Sequence, residues 1–413
     1  MKMKILIVGF VWPEPKSSAA GQRMMQLIDF FISENYEVVF ATTAIPTPHR
    51  VNLSEMGVKA ETIELNNPSF DLFLEKLQPN IVLFDRFMME EQFGWRVSQI
   101  CPKALKILDT EDLHFLRKVR QEAFLKNKKT DDLLFESEVA KREIASIFRC
   151  DLSLIISSEE IKILKEKFQV PDYLLFHLPF MIEELTETQT ADLPSFEKRE
   201  HFISIGNFRH DPNWDAVLYL KQHIWPLIHK KLPETEMHIY GAYPPKKATT
   251  LNNLKENFLI KGWADSSENV IKNSRVLLAP LRFGAGLKGK LAEAMQFGTP
   301  SVTTTIGAEA MSENDKWNGF IEDSPEKFAK KAVELYLNEN LWEKAQKNGF
   351  EILDFSFSKK KLQQSFKERI DETLLDKDQN RSRNFTGAML QHHMLNSTKY
   401  LSKYIEIKNK MEK

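Results

Sequence analysis

Residues 276–295 read VLLAPLRFGAGLKGKLAEAM and contain the densest glycine cluster of the chain. The apolar run 276–279 is typical of a buried strand, and residues 288–297 have the spacing of an amphipathic helix. Three glycines separate the two elements. The protein has only 15 glycines in 413 residues, and five of them lie between positions 284 and 307. We therefore expect this strand–loop–helix turn to be the place where the backbone must approach a ligand closely.

The same turn has the chemistry of an anion site. A helix begins there, and its first N–H groups have no partner within the helix. Lys288 and Lys290 add positive charge at a helix end that normally prefers acids, which costs a few tenths of a kcal/mol (~0.3) unless an anion binds. We interpret the turn as a diphosphate site, with Gly284, Gly286 and Leu287 offering backbone contacts. The alternative is a glycine-rich connector with solvated lysines.

Glu293 follows one turn into the predicted helix, where its carboxylate can accept hydrogen bonds from the vicinal hydroxyls of a ribose. An ordinary surface pair with Lys290 is the other interpretation. Residues 284–289 also spell G-x-G-x-x-G, with Glu309 further along, which is the formal dinucleotide fingerprint. That fingerprint normally opens the first strand of its domain, whereas this one follows an apparent fourth strand. NAD binding stays a minor alternative.

Short apolar runs alternate with helix-period stretches along the chain, which predicts an α/β fold with parallel sheets. Two series occur, so we expect two Rossmann-like, doubly wound domains of similar size. The predicted strands are 4–8, 37–41, 81–84, 105–108 and 152–157, then 202–205, 237–240, 258–260, 276–279 and 301–304. The predicted helices of the second series are 213–229, 268–273, 288–297 and 326–338.

The domain boundaries are placed where the alternation of predicted strands and helices is interrupted. We assign residues 1–181 to an N-terminal domain, 182–200 to a polar linker, 201–355 to a C-terminal domain and 356–413 to C-terminal helices and a tail. Residues 371–384 are charged and lack periodicity, which favours a mobile link. The final helix has one apolar face, formed by Met394, Leu401, Tyr404 and Ile405, and we expect it to dock on the body or on another subunit.

The balance of charged residues argues against nucleic acid as the main binding partner. Lys and Arg total 57 against 58 Asp and Glu, so there is no cationic surplus for nucleic acid. Two cysteines are too few for a disulfide framework, and no apolar run is long enough for a signal peptide or a spanning helix. We expect a cytoplasmic protein. Peripheral membrane contact through basic clusters such as 117–120 or 126–129, or through the last helix, is a weaker possibility.

Three spaced motifs resemble a known family. They are GNFRHDPNWDA at 206–216, APLRFGAGLKGKLAEAM at 279–295 and GTPSVTTTIGAE at 298–309. Together they are similar to the C-terminal domain of GT-B-fold glycosyltransferases of family 4, over roughly residues 200–320. The resemblance implies two domains facing a cleft, with a nucleotide-diphospho-sugar on the C-terminal domain and the acceptor mainly on the N-terminal one. It also implies a retaining transfer without a metal or other cofactor.

The resemblance assigns roles to particular residues. Glu293 matches the second of two glutamates in the family's donor motif, and its implied partner is the nucleotide ribose. The first glutamate falls on Ala285, so backbone amides of 284–287 or the side chain of Arg282 would have to hold the sugar hydroxyls. Arg209 is the nearest candidate for the basic residue that follows the first strand of the domain. Arg209 and Lys290 would then balance the departing diphosphate.

Two segments of the N-terminal half carry further candidates. The loop SSAAGQR at 17–23 contains Gly21, which would let it approach the donor phosphates. The segment LDTEDLH at 108–114 follows a predicted strand. There, His114 resembles a histidine that the family places near the reacting sugar, so it could bind the donor sugar or assist movement of a proton from the acceptor. A lone histidine is more often an ordinary hydrogen-bonded residue. Asp109 and Asp112 are candidates for acceptor contacts.

The sequence thus favours a glycosyltransferase that uses a nucleotide-sugar donor and a glycan or lipid-linked acceptor. A nucleotide-sugar epimerase of similar fold, an NAD-dependent oxidoreductase and a non-catalytic nucleotide-sugar-binding protein are the alternatives. The only Asp-x-Asp motif, Asp376–Asp378, lies in the polar tail, so we expect no metal in the reaction.

Overall fold

Two parallel sheets form the framework of the computed structural model, which describes residues 2–312 and 316–411. The first sheet contains β1 (Lys4–Gly9), β2 (Glu37–Thr42), β3 (Lys59–Thr62), β4 (Ile81–Asp85), β5 (Leu105–Asp109), β6 (Leu152–Ile155) and β7 (Leu175–His177). Its helices are α1 (Ala19–Ser33), α2 (Ser69–Leu77), α3 (Phe87–Ile100), α4 (His114–Lys126), α5 (Glu138–Arg149) and α6 (Ser158–Glu166). The spatial order of the strands is β3-β2-β1-β4-β5-β6-β7.

The second sheet repeats this arrangement. It contains β8 (Glu200–Ile205), β9 (Met237–Tyr240), β10 (Phe258–Gly262), β11 (Ser274–Ala279), β12 (Ser301–Thr303) and β13 (Gly319–Ile321), in the order β10-β9-β8-β11-β12-β13. The helices of this half are α7 (Glu187–Ala191), α8 (Asp211–Tyr219), α9 (Trp225–His229), α10 (Lys246–Thr249), α11 (Ser267–Lys272), α12 (Gly289–Gln296), α13 (Thr305–Ala308), α14 (Pro325–Leu337) and α15 (Glu339–Ser356). The chain ends in α16 (Lys359–Leu375), α17 (Lys377–Arg383) and α18 (Phe385–Met411).

The apolar composition of the strands follows from burial on both faces. In β1, Ile5 and Ile7 belong to one hydrophobic cluster while Leu6 and Val8 belong to another, because successive side chains point to opposite faces. All four are fully buried. The prediction of two Rossmann-like α/β domains is confirmed. Both sheets reverse their winding beside the first strand, and ligands bind at such a switch point, beyond the carboxyl ends of the strands.

Three strands were missed by the sequence analysis, and all three are short or polar. β3 lies at one edge of its sheet and is mostly exposed, while β7 and β13 are edge strands of three residues. Edge strands bury less surface and therefore lack the apolar run that identifies a central strand. The predicted helix 213–229 is divided into α8 and α9 by a π-helical turn at Leu220–Ile224.

The chain crosses between the domains twice, and the two crossings lie side by side. The Ile182 N–H donates to the Phe357 carbonyl at 2.8 Å, and the Lys359 N–H donates to the Ile182 carbonyl at 2.9 Å. The Ser358 hydroxyl donates to Glu184 at 2.8 Å. The connection is therefore a paired double strand rather than a single flexible linker, and its first part includes the short helix α7.

The C-terminal helices return to the first domain. Phe366 of α16 is fully buried and packs its ring against Phe30 at 4.6 Å and against Phe176 at 5.7 Å, measured between ring centroids. The prediction of a mobile link at 371–384 is wrong, since α16 and α17 occupy most of it and Arg381 forms a two-pronged ion pair with Asp151. This segment lacks an apolar period because charged contacts fix it.

The last helix, α18, docks on the first domain, where Arg96 of α3 contacts Ser402 and Glu406. Of the predicted apolar face, Met394 and Ile405 are partly buried. Leu401 and Tyr404 are more than half exposed, so that part of the predicted face is turned outward. Within the described ranges, we find no helix with both the length and the apolar character needed to cross a bilayer.

The packing of α16 makes a testable prediction. We expect Phe366→Ala to lower the free energy of unfolding of the first domain by about 3 kcal/mol, the usual cost of removing a fully buried aromatic ring. Phe385→Ala on α18 is the control, because that side chain is 77% exposed. Urea denaturation followed by tryptophan fluorescence measures both. Equal midpoints for the two variants would contradict docking of α16 in the first core.

Candidate functional site

A cavity of about 450 Å³ lies between the domains, at the carboxyl ends of the strands of both sheets. The first domain lines it with residues that follow β1, β4, β5 and β6, and the second with residues that follow β8, β9, β10 and β11. The glycine turn at 284–290 forms one wall. The predicted ligand site therefore lies at the topological switch points of both sheets.

The glycine turn connects β11 to α12 and adopts backbone conformations that need glycine. Gly286 has φ of +62°, and a Cβ at this position would lie 2.8 Å from the Cβ of Asp112 in the first domain. The N–H groups of Leu287, Gly289 and Lys290 have no acceptor within the described part of the chain. All three residues line the cavity, so the start of α12 offers unpaired donors to an anion.

The basic residues of the site differ in what they can do. Lys288 is buried, and its ammonium donates to the carbonyls of Gly286 at 2.5 Å and Ala285 at 3.3 Å, so it braces the turn. Lys290 lines the cavity and donates to Asn213 Oδ1 at 2.8 Å. Burial lowers the pKa of Lys290 to about 8, so a bound anion would strongly favour its charged form.

Arg209 also lines the cavity, and its guanidinium stacks 3.7 Å from the ring centroid of Tyr243. The stacking fixes the side chain at the mouth of the site without neutralising its charge. Arg209 and Lys290 are therefore two basic residues of the cavity that the amide donors of α12 also line.

Glu293 lies in the same helix and receives two hydrogen bonds on one oxygen. Its Oε1 accepts from Gln22 Nε2 of the first domain at 2.6 Å and from the Ser267 hydroxyl at 3.1 Å. Burial raises the pKa of Glu293. The alternative interpretation, a surface ion pair between Glu293 and Lys290, does not match the structure, because the Lys290 ammonium donates to Asn213.

One carboxylate, missed by the sequence analysis, holds the two walls of the cavity together. Glu160 of α6 is fully buried, and its Oε1 accepts from the N–H of Leu113 at 3.0 Å and from the N–H of Gly286 at 2.9 Å. Burial, followed by the charge of Asp112, raises the pKa of Glu160 to about 8. In the sequence, Ser157 followed by Glu159 and Glu160 is typical of a capped helix start, and this local pattern gives no sign of a contact with residue 286.

A second contact between the domains settles the role of Glu309. Arg120 of α4 donates to both carboxylate oxygens of Glu309 at 2.7 Å and to the Gly284 carbonyl at 2.9 Å. The acidic residue of the formal dinucleotide fingerprint is thus already bound by an arginine. The geometry does not favour the NAD alternative.

His114 and Asp112, two of the predicted site residues, line the cavity. The His114 Nδ1 lies 3.3 Å from the Asp112 carbonyl, and burial lowers the pKa of His114 to about 4, so the imidazole is neutral at pH 7. Arg117 forms an ion pair with the Asp112 carboxylate. Burial raises the pKa of Asp112, but the charge of Arg117 outweighs it and the net shift is downward.

Two residues of this wall have strained backbones. Arg86 and Glu111 follow β4 and β5 and have φ of +71° and +65°, which side chains other than glycine rarely adopt. Both line the cavity. Burial and the charge of Asp112 raise the pKa of Glu111 to about 7. Glu111, Asp112 and His114 lie close enough together for a cation, but the guanidinium groups of Arg86 and Arg117 already supply positive charge there.

Three predicted site residues lie elsewhere. Gly21 is in the first turn of α1 and packs against the Glu14 backbone, which a Cβ would approach to 2.4 Å, and it is absent from the cavity wall. Arg282 turns away from the cavity to form a two-pronged ion pair with Asp215. Asp109 is buried and paired with Arg23 at 2.7 Å. These residues shape the walls and offer nothing directly to a donor or an acceptor.

Comparison with known proteins identifies the second domain. Residues 199–338 match the family described as glycosyl transferases group 1. The chain carries a glycosyltransferase domain in a GT-B fold. No curated protein matches it by sequence. The resemblance stated from the three motifs is confirmed for the second domain, and the chain has the two Rossmann-like domains that the resemblance implies.

Solved structures share the whole fold at low sequence identity. The chain is similar to a glycosyltransferase from Rickettsia africae (TM-score 0.65, 13% identity, covering 90% of this chain and 99% of that one). It is similar to TarM from S. aureus, solved with fondaparinux, alpha-GlcNAc-glycerol and UDP (TM-score 0.68, 12% identity, covering 91% of this chain and 100% of that one). It is also similar to HepE from Anabaena, solved with UDP and glucose (TM-score 0.62, 12% identity, covering 89% of this chain and 99% of that one).

The environment of Glu160 predicts a pH dependence of stability. In the unfolded chain a glutamate ionises near 4.5, whereas the folded protein retains this proton to about pH 8. The unfolded state therefore loses its proton first, and the free energy of unfolding falls as the pH rises between these two values. Glu160→Gln cannot ionise, so its melting temperature relative to wild type should rise from pH 5 to pH 8.5.

Glu159→Gln, at the neighbouring and partly exposed position, is the matched control and should follow wild type at every pH. Differential scanning calorimetry in overlapping buffers measures all three proteins. A constant difference between Glu160→Gln and wild type across this range would show that the carboxyl group ionises normally.

Proposed function

We propose that this glycosyltransferase transfers a sugar from a nucleoside-diphosphate-sugar to a hydroxyl group of a glycan or lipid-linked acceptor, with retention at the anomeric carbon and without a metal. The observation that carries the proposal is the set of groups at the start of α12. Free backbone donors, two cations and a carboxylate line one wall of a cavity between two domains.

The diphosphate would bind at the start of α12. The amides of Leu287, Gly289 and Lys290 are unpaired within the described residues, and the Lys290 and Arg209 side chains line the same cavity. These groups would stabilise the charge that develops on the diphosphate as the glycosidic bond breaks, which is the task a divalent ion performs in other transferases. Preorganised donors in a partly dehydrated cleft supply several kcal/mol (about 3) to such a step.

The ribose would bind at Glu293. Both contacts of Glu293 in the described structure use Oε1, so Oε2 is open to a ribose hydroxyl. Charge-assisted hydrogen bonds of this kind contribute about 1.5–3 kcal/mol each. Gln22 joins the same carboxylate from the first domain, so nucleotide binding and closure of the domains involve a common group.

The sugar would lie between the glycine turn and the wall formed by Asp112 and His114. Ala285 offers no carboxylate and Arg282 is turned away, so we assign the Leu287 amide and the neutral His114, which both line the cavity, to the sugar. A histidine with a pKa of about 4 is a weak base at neutral pH. We infer that His114 orients a sugar hydroxyl through hydrogen bonds and does not take the acceptor proton.

The nucleotide is proposed from the related structures. TarM and HepE were solved with UDP. We propose UDP as the leaving group here.

A thermal-shift screen against UDP, GDP, ADP and NAD tests the proposal. A ligand present at 100 times its dissociation constant adds about 2.7 kcal/mol of stability, and we expect UDP to give the largest shift. A larger shift with NAD than with every nucleoside diphosphate would overturn the proposal. Product analysis with labelled UDP-sugars and acceptors then distinguishes a transferase from an epimerase or a binding protein.

The role of Lys290 gives a separate prediction. Lys290→Ala should weaken UDP binding by about 10-fold to 100-fold, because it removes a charge-assisted hydrogen bond to the diphosphate. Lys272→Ala is the matched control, since Lys272 pairs with Glu268 on the surface of α11. Isothermal titration calorimetry measures both variants. Equal affinities for UDP would remove Lys290 from the donor site.

A further inference from the structure

A cluster of two histidines and a glutamate lies at the amino-terminal ends of two neighbouring strands of the second sheet, whereas the cavity lies at their carboxyl ends. His201 is the second residue of β8, Glu236 directly precedes β9, and His238 is the second residue of β9. The Phe202 N–H donates to the Glu236 carbonyl at 3.0 Å, and Ile203 is paired with His238 in the ladder. The register of β8 and β9 therefore holds the three side chains next to one another.

The three side chains direct their ligand atoms to a common point. The Glu236 Oε2 lies 2.5 Å from His238 Nε2 and 3.9 Å from His201 Nδ1. One nitrogen of each histidine and one glutamate oxygen all lie within 4.8 Å of one another. The side chain of His238 is only 12% exposed, and the other two are about one-third exposed, so the point is sheltered but accessible to an ion.

We propose that His201, Glu236 and His238 bind a divalent transition-metal ion, with Zn²⁺ the best match. Two imidazole nitrogens and one carboxylate oxygen form a donor set that Zn²⁺ commonly uses, with the remaining positions filled by water. Hard ions such as Mg²⁺ and Ca²⁺ prefer oxygen ligands throughout and fit this set poorly. The site is distinct from the donor cavity and from the groups proposed for sugar transfer.

The charges around the cluster are compatible with a cation. Glu200 lies 3.6 Å from His201 Nε2 and adds a second carboxylate, while Lys261 on β10 contributes one opposing charge. The contact between His238 Nε2 and Glu236 Oε2 is a hydrogen bond, and a bound metal ion would replace the proton that these two atoms share.

The position of the site predicts its effect. Ile205, which lines the cavity, is four positions after His201 in β8, which corresponds to about 13 Å along a strand. A metal at this point joins β8 to β9 and does not reach a bound donor. We therefore expect it to stabilise the second domain and to leave sugar transfer unchanged.

The test uses the full chain without a histidine tag, treated with EDTA and dialysed. Zinc binding is measured by isothermal titration calorimetry and by metal analysis after gel filtration. Three single variants each remove one ligand: His201→Asn, chosen because asparagine tolerates the left-handed backbone at φ of +61°, Glu236→Gln and His238→Gln. The double variant His392→Gln with His393→Gln is the control, because it removes another adjacent histidine pair, on α18.

We expect wild type to retain one zinc per chain and to melt at a higher temperature with zinc than without it. Each single variant should bind zinc at least ~10-fold more weakly, which is the loss that even supporting residues of metal sites produce. The control variant should bind like wild type. Melting temperatures of the metal-free proteins show whether each variant is folded.

Absence of zinc binding in wild type would overturn the proposal. Unchanged binding in the folded single variants, or equal loss in the control variant, would assign the zinc to other surface groups and would also overturn it. Replacement of zinc by Co²⁺ gives an independent reading, because visible absorption typical of tetrahedral cobalt should appear in wild type and be lost in His238→Gln.

Discussion

The site depends on the contact between the Glu160 carboxyl group and two backbone amides. One amide begins the helix α4 of the first domain and the other lies in the glycine turn of the second. Among the described residues, the second oxygen of this fully buried carboxyl group has no hydrogen-bond partner, which is costly. The first oxygen connects the two walls of the cavity in return. Arg120 reinforces the same junction through Glu309 and Gly284.

This junction also explains the glycine cluster more fully than phosphate binding alone. A Cβ at Gly286 would meet Asp112, and a Cβ at Gly289 would lie 2.6 Å from the Cβ of Ala19. Both neighbours belong to the first domain. Glycine is therefore needed where the two domains touch, as well as where a ligand would approach the backbone. A protein with few glycines elsewhere places them at the point where two constraints coincide.

The sequence was a good guide to the central strands and to the glycine turn, and a poor guide to long-range pairs. β1 and β11 are apolar because both of their faces are covered, so a run of consecutive apolar residues is enough to locate each strand. The orientation of Arg282 depends on Asp215, 67 residues away, and that of Asp109 depends on Arg23, 86 residues away. No local pattern reveals such pairs. Glu160 was missed for the same reason, since its partner is 126 residues further on.

The return of the last helices to the first domain affects how the protein can be made. Phe366 fills a core whose other members, such as Phe30 and Phe176, are synthesised far earlier. Until the ribosome has produced the entire second domain, the first one exposes an unfilled apolar face. The first domain therefore cannot complete its core before the second domain has been synthesised. Its apolar face stays exposed until α16 has left the ribosome.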